Sequence, residues 1–137
     1  MVNEELIYKL SLLEQQAQQI QQQLQMIEQG IAELITMNLS INHLQGSVGK
    51  EILAPFGRGI FVKAKLLDEN LTVDIGGKNF VKKTIPETKE LIKEQIGKLE
   101  EAKASLIESL EEMNQEATSM ISNIQRESGE IKEEEED

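Results

Sequence analysis

Residues 71–84 read LTVDIGGKNFVKKT, and how this stretch is read decides the fold. The pair Gly76-Gly77 followed by Lys78 suggests a loop that cradles phosphate. Such a loop needs the pattern G-x-x-x-x-G-K-[ST] and opens a helix. Here Asn79 follows the lysine, and Thr72 stands where the first glycine belongs. The magnesium-binding hydroxyl and half of the backbone cradle are therefore missing. What flanks the glycines is alternation: Leu71, Val73 and Ile75 before them, and the short run FVKKT after them. Glycines supply the positive φ of tight hairpin turns, so the stretch predicts two strands and a turn.

The same period of two extends N-terminally. IFVKAKLL, residues 60–67, places Ile60, Val62, Ala64 and Leu66 on one face. ILAPF, residues 52–56, is the weakest strand, because Pro55 cannot donate to a ladder. Gly57-Arg58-Gly59, Asp68-Glu69-Asn70 and Gly76-Gly77-Lys78 separate the runs as turns. Residues 50–84 thus predict four short strands in two β-hairpins that make up one incomplete sheet. Its apolar positions include Ile60, Val62, Ala64, Leu66, Leu71, Val73, Ile75, Phe80 and Val81.

On both sides of this block the period changes. Between residues 3 and 45, Leu6, Leu10, Leu13, Ala17, Ile20, Leu24, Ile27, Ile31, Leu34 and Ile41 follow alternating steps of four and three, with Asn38 in the one polar slot. That is the seam of a coiled coil. Asn3 before Glu4 and Glu5 suits a helix start, and Gly46 suits a stop. The heptad passes unbroken through QQAQQIQQQLQMIEQ, residues 15–29, so this stretch is helix rather than a disordered tract. A second seam spans residues 86–131: Ile92, Ile96, Leu99, Lys103, Leu106, Leu110, Met113, Ala117, Met120, Ile124, Glu127 and Ile131. Lys103 and Glu127 are its polar slots. Thr84 and Glu87 form a capping box, with Pro86 in the first turn. The acidic run at residues 132–137 is expected to fray as a tail.

Each helix would span about 60–70 Å at 1.5 Å per residue, and neither can bury its stripe alone. The strands return the chain, so the helices are expected to pair antiparallel. Counting outward from the strands sets Leu34 level with Ile96, Leu24 with Leu106, Ala17 with Met113, Leu13 with Ala117 and Leu6 with Ile124. The fold class is therefore mainly α: a long antiparallel two-helix coiled coil, or helical hairpin, joined by two β-hairpins, in one domain over residues 1–137.

Composition agrees. Aromatic residues make up 3% of the chain and there is no Trp, whereas 39% of residues are apolar. That mixture suits a thin seam better than a thick core. A formal net charge of −11 argues against nucleic acid and against an anionic membrane surface as partners. There is no cysteine, hence no disulfide, thiolate nucleophile or cysteine metal site. No apolar run is long enough to span a membrane, and MVNEELIYK lacks the form of a signal peptide. The chain is expected to be soluble and cytoplasmic. His43 stands alone and makes a poor metal site. Gly46-Ser47-Val48-Gly49 is not a nucleophile elbow. The expectation is no enzyme, no cofactor and no metal.

The order of elements, together with ILAPFGRGIFVKAKLLDENLTVDIGGKNFVKKT, resembles the alpha subunit of prefoldin in its archaeal form. The specific part is the middle: a glycine turn, a strand, an Asp-x-Asn turn, V-D-I-G-x-x-x-x-V, and Lys83-Thr84 leading into the second helix. Two hairpins point to the alpha class. The resemblance implies a hexamer of two alpha and four beta subunits whose hairpins join in an oligomeric β-barrel. It implies coiled-coil arms whose ends hold unfolded polypeptides without ATP and pass them to a group II chaperonin. Carried onto this chain, the strand block is the assembly surface, and the arm ends, near residues 1–13 and 117–131, are the client-binding tips.

The residues agree with that assignment. Leu6, Ile7, Tyr8, Leu10, Leu12 and Leu13 crowd one short window, more than a two-helix seam can cover. Met120, Ile121 and Ile124 lie on the second helix at the matching level. The alternatives are a structural protein that polymerises through its hairpins into filaments, and a coiled-coil adaptor with one fixed partner.

Overall fold

The computed structural model describes the backbone of residues 2–136 and the side chains of residues 4–127. The seam slot at Ile131 and the side chains of the acidic run fall outside that range. The elements are a helix α1 (Val2–Ser40), a 3-10 turn (Ile41–Leu44), strands β1 (Glu51–Gly57), β2 (Ile60–Lys65), β3 (Leu71–Asp74) and β4 (Phe80–Lys83), and a helix α2 (Ile85–Glu136). This is the mainly α fold with two antiparallel β-hairpins that the sequence predicts. The chain divides into two compact units, one of residues 30–99 and one of residues 1–29 with 100–137.

Among the described residues, every buried one lies in the unit of residues 30–99. Ile41, Ile85 and Ile92 form its centre, with Leu34, Leu44, Leu71 and Ile96 packed against them. The start of α2 is fixed by the predicted capping box. Thr84 Oγ1 donates to Glu87 Oε1 at 2.9 Å, and the Glu87 N–H donates back to Thr84 Oγ1 at 3.3 Å. These bonds occupy groups that a helix N-terminus leaves unpaired. The hydrogen bonds from Thr84 hold the Glu87 carboxyl below its usual range. Thr88, also buried, donates from Oγ1 to the Thr84 carbonyl at 2.8 Å.

Two boundaries differ from the sequence reading. The first helix stops at Ser40 and tightens into the 3-10 turn that seats Ile41 in the core, rather than running on to residue 45. Such tightening is common at helix ends, where the last carbonyls lack partners. The second helix continues to Glu136, through the run expected to fray. Glu and Lys are good helix formers, and their propensity carries the backbone on.

The strands form two separate two-stranded sheets, β1–β2 and β3–β4, not one incomplete sheet. The link between them is held in its own turns instead of a ladder. Asp68 Oδ1 accepts from the Asn70 N–H at 3.0 Å, and Glu69 Oε1 accepts from the Gly46 N–H at 2.7 Å. The second hairpin turns as Gly76-Gly77-Lys78 predicted. Asn79 N–H donates to the Gly76 carbonyl at 3.1 Å, with Gly77 at φ 60° and Lys78 at φ 63° between them. Two successive positive φ angles are what the favoured hairpin turns require.

The unit of residues 1–29 and 100–137 is helix pair alone. Its seam slots from Leu6 to Ile27 and from Lys103 to Glu127 are half-buried, and its other described positions are mostly exposed. Lys103 Nζ lies 3.5 Å from Glu28 Oε1. That pairing is within a residue of the predicted levels. In the other unit Leu99 Cδ1 sits 3.6 Å from where a Cβ on Gly30 would be, at the same register.

Candidate functional site

Two surfaces contain the residues singled out in the sequence. The first is the helix pair near the chain ends. Leu6, Leu10, Leu13, Met120 and Ile124 are half-buried in the seam, whereas Ile7, Tyr8, Leu12 and Ile121 are exposed, Tyr8 at 66%. The division follows from helix geometry. Seam residues recur at three and four, and residues one or two places off that rhythm turn away from the partner helix. Ile7 and Tyr8 follow Leu6 directly, so they point out. A groove of about 200 Å³ opens beside the seam, lined by Lys9, Leu12, Leu13, Gln16, Glu116 and Met120. Of the exposed set Leu12 lines this groove, and exposed apolar side chains crowded on one segment form a surface able to hold another chain's apolar groups. Met120 adds an adaptable thioether to it.

The second surface is the first hairpin. Its register pairs Ile52 with Ala64 and Ala54 with Val62 on one face, and Leu53 with Lys63 and Pro55 with Phe61 on the other. The predicted face is present, with Ile60 and Val62 exposed and Ala64 half-buried. The opposite face is apolar as well. Leu53 and Phe61 are exposed there, and Phe56, at the bulge between Pro55 and Gly57, is exposed at 83%. Leu53 and Phe56 were missed in the sequence because Pro55 weakened the case for their strand, and Phe61 because it lies opposite the face read as apolar. The available signal was two phenylalanines, among only three in the chain, within six positions of a turn. Leu66 lies just beyond β2 yet stays in the ladder: its N–H donates to the Lys50 carbonyl at 3.1 Å.

The second hairpin is arranged differently. Leu71, grouped with the assembly positions in the sequence, packs instead on the chain's own core. Leu71 and Val73 line a groove of about 390 Å³ with Leu34, Met37, Ile41 and Leu91. Val81, opposite Val73, is half-buried, while Ile75 and Phe80 are exposed near the turn. On its outer side Lys82 Nζ is 3.3 Å from Asp68 Oδ2. The Asn70 N–H, and after it Lys82, hold the Asp68 carboxyl below its usual range.

His43 is exposed at the end of the 3-10 turn, where its carbonyl accepts from Ser47 Oγ at 2.7 Å. Among the described residues no group of three or more His, Asp or Glu is placed to hold a metal ion. Among them, too, no helix is long and apolar enough to cross a membrane.

Comparison with known proteins follows the same lines. The family described as Prefoldin subunit matches residues 13–130. The prefoldin subunit alpha of Methanococcus aeolicus is 31% identical over 128 residues, covering 90% of this chain and 88% of that protein. The prefoldin subunit alpha of Methanosphaera stadtmanae is 27% identical over 89 residues, 65% of this chain and 64% of that protein, just under two thirds of its length. Among solved structures, the filamentous PFD from Methanocaldococcus jannaschii, determined by cryo-EM, matches with a TM-score of 0.73 and 18% identity, over 88% of this chain and 98% of that one. At that identity the likeness speaks for the fold.

Proposed function

The chain belongs to the prefoldin family, and on that premise we propose that it is the alpha-type subunit of an ATP-independent chaperone that holds unfolded polypeptides. The family is one of chaperones rather than catalysts, which agrees with the lack of any nucleotide or nucleophile motif in the sequence. The observation that carries the proposal is the set Ile7, Tyr8, Leu12 and Ile121, exposed beside the seam of the helix pair. Single surface apolar residues are ordinary, but several crowded on one short segment mark a binding surface. Weak capture at several arms would be multiplied by avidity in an assembly.

The assembly surface in this reading is the strand block, with beta-type subunits as partners in a hexamer of two alpha and four beta chains. A two-stranded hairpin has two open edges and little stability alone, so it favours pairing with further strands. Release of clients to a group II chaperonin in the cytoplasm completes the proposal. The test is truncation of the full assembly. Removing residues 1–13 and 117–137 is expected to leave the mass of the complex unchanged apart from the deletion and to abolish suppression of client aggregation. A truncated complex that protects clients as well as the intact one overturns the tip assignment.

A second reading is favoured by those same open hairpin edges and by the filamentous relative: self-assembly through the strands into filaments. Light scattering of the chain alone and with a beta-type partner separates the two. A single discrete mass with the partner supports the chaperone, and an open ladder of sizes supports the filament.

A further inference from the structure

The groove beside the tip seam has a chemical bias of its own. On α1, Glu5, Lys9, Leu12 and Gln16 are spaced by four, three and four residues and therefore share one flank of the helix. On α2, Glu116, Met120, Asn123 and Glu127 share a flank by the same spacing. Lys9, Leu12, Gln16, Glu116 and Met120 all line the groove, so these are the flanks that face each other across it. Its floor is apolar, built from Leu12, Leu13 and Met120. Lys9 and Glu116 line its rim, and the spacing sets Glu5 and Glu127 further along the same two flanks, so carboxylates outnumber Lys9 on them. Glu127 also answers a question left by the heptad. It occupies a seam slot, half-buried, where a coiled coil usually places an apolar residue.

The surroundings strengthen the bias. In the helix pair, Glu4, Glu14, Glu111 and Glu112 are exposed; of the cations there, Lys103 is paired with Glu28 and Arg126 is exposed, so carboxylates remain in excess. Tyr8 presents an exposed ring nearby in sequence, and a ring face attracts Lys or Arg. An apolar side chain that enters this groove brings its chain neighbours up to the carboxylates of the rim. Cationic neighbours are attracted there, and anionic neighbours are repelled.

We propose that the tip groove selects unfolded segments in which a large apolar side chain is flanked by lysine or arginine. The inference rests on the reading that the arm ends capture unfolded chains, and it names the class of segment they prefer. Its occupant is therefore an extended cationic–apolar stretch of a client.

Three labelled peptides test it by fluorescence anisotropy on the full-length chain in complex with its beta-type partner. Each peptide carries one central leucine, flanked by lysines, glutamines or glutamates. The lysine peptide is expected to bind about three- to fivefold tighter than the glutamate peptide at low salt, the range that exposed ion pairs supply. The gap should narrow at about 1 M salt, where the Debye length falls to about 3 Å. The paired substitution Glu116→Gln and Glu127→Gln should close the gap between the lysine and glutamate peptides. Suppression of aggregation of an unfolded protein is measured in parallel. Equal affinity for the three peptides, with suppression retained, overturns the charge preference and leaves client capture standing. No binding of any peptide together with lost suppression overturns both. A gap that persists in the paired variant overturns the assignment to this groove.

Discussion

One heptad seam runs through both units of the chain, yet the two come to different ends. In residues 30–99 the seam residues Ile41 and Ile92 are buried, because the 3-10 turn, the start of α2 and Leu71 of the second hairpin cover them. In the helix pair of residues 1–29 and 100–137 the same kind of residue stays half-exposed. A two-helix seam covers only one stripe of each helix, and among the described residues this unit holds no third element. The lesson is that a third element, not the heptad, makes a core. Where it is present the chain invests in stability; where it is missing, apolar surface remains for other chains.

Substitution in the two seams probes that contrast most strongly. Ile92→Ala removes a fully packed side chain and is expected to cost about 2–5 kcal/mol, measured as a shift in the denaturation midpoint. Ile20→Ala, half-exposed in the helix pair, should cost about half as much or less, since less surface leaves water. Equal losses would break the comparison.

The turn of the second hairpin gives the next effect. Gly77→Val places a β-branched residue at φ 60° and should lower stability by about 1–2 kcal/mol. Lys78→Gly at the adjacent φ 63° should be neutral or stabilising. Both are read by thermal unfolding, and both changes should fall on the strand-bearing unit.

The helix cap gives a smaller one. Thr84→Ala should cost about 1 kcal/mol by loss of the capping box. Glu87 and Asp68 have carboxyls depressed by hydrogen bonds in the folded chain. A depressed folded pKa gives stability that is present above the unfolded value and is lost as pH falls through the folded one. A modest drop in melting temperature is therefore expected as pH falls below about 4, the unperturbed carboxylate range. Thr84→Ala should reduce that drop.

An effect of the opposite sign concerns the polar seam slot. Asn38 Oδ1 is buried without a hydrogen-bond partner. Asn38→Leu should raise the denaturation midpoint by up to about 1–3 kcal/mol at most, since an unsatisfied buried acceptor disappears. A loss of stability would show that the asparagine makes a needed bond.

Much of this was legible in the sequence, for identifiable reasons. The seam slots from Leu6 to Glu127 that are described are half-buried or buried, because a long uninterrupted heptad is a strong periodic signal. The hairpin turns and the Thr84–Glu87 cap were legible because their chemistry is local. What escaped depends on tertiary placement. Nothing local says that the two hairpins remain separate sheets, or that Leu71 turns inward to the core. Phe56 escaped because the proline beside it obscured its strand, and Phe61 because only the other face of its strand was read as apolar. The exposed set Ile7, Tyr8 and Leu12 was legible from crowding alone, whereas the groove required α2 to bring Glu116 and Met120 alongside.

The division of labour between the two units is tested most directly by one triple variant, Ile7→Ser, Tyr8→Ser and Leu12→Ser, in the full complex with its beta-type partner. The substitutions touch exposed positions outside the seam, so the mass of the complex and its melting temperature should hold. Protection of an unfolded client against aggregation, followed by light scattering, should fall sharply. Full protection by a correctly assembled triple variant would contradict the account.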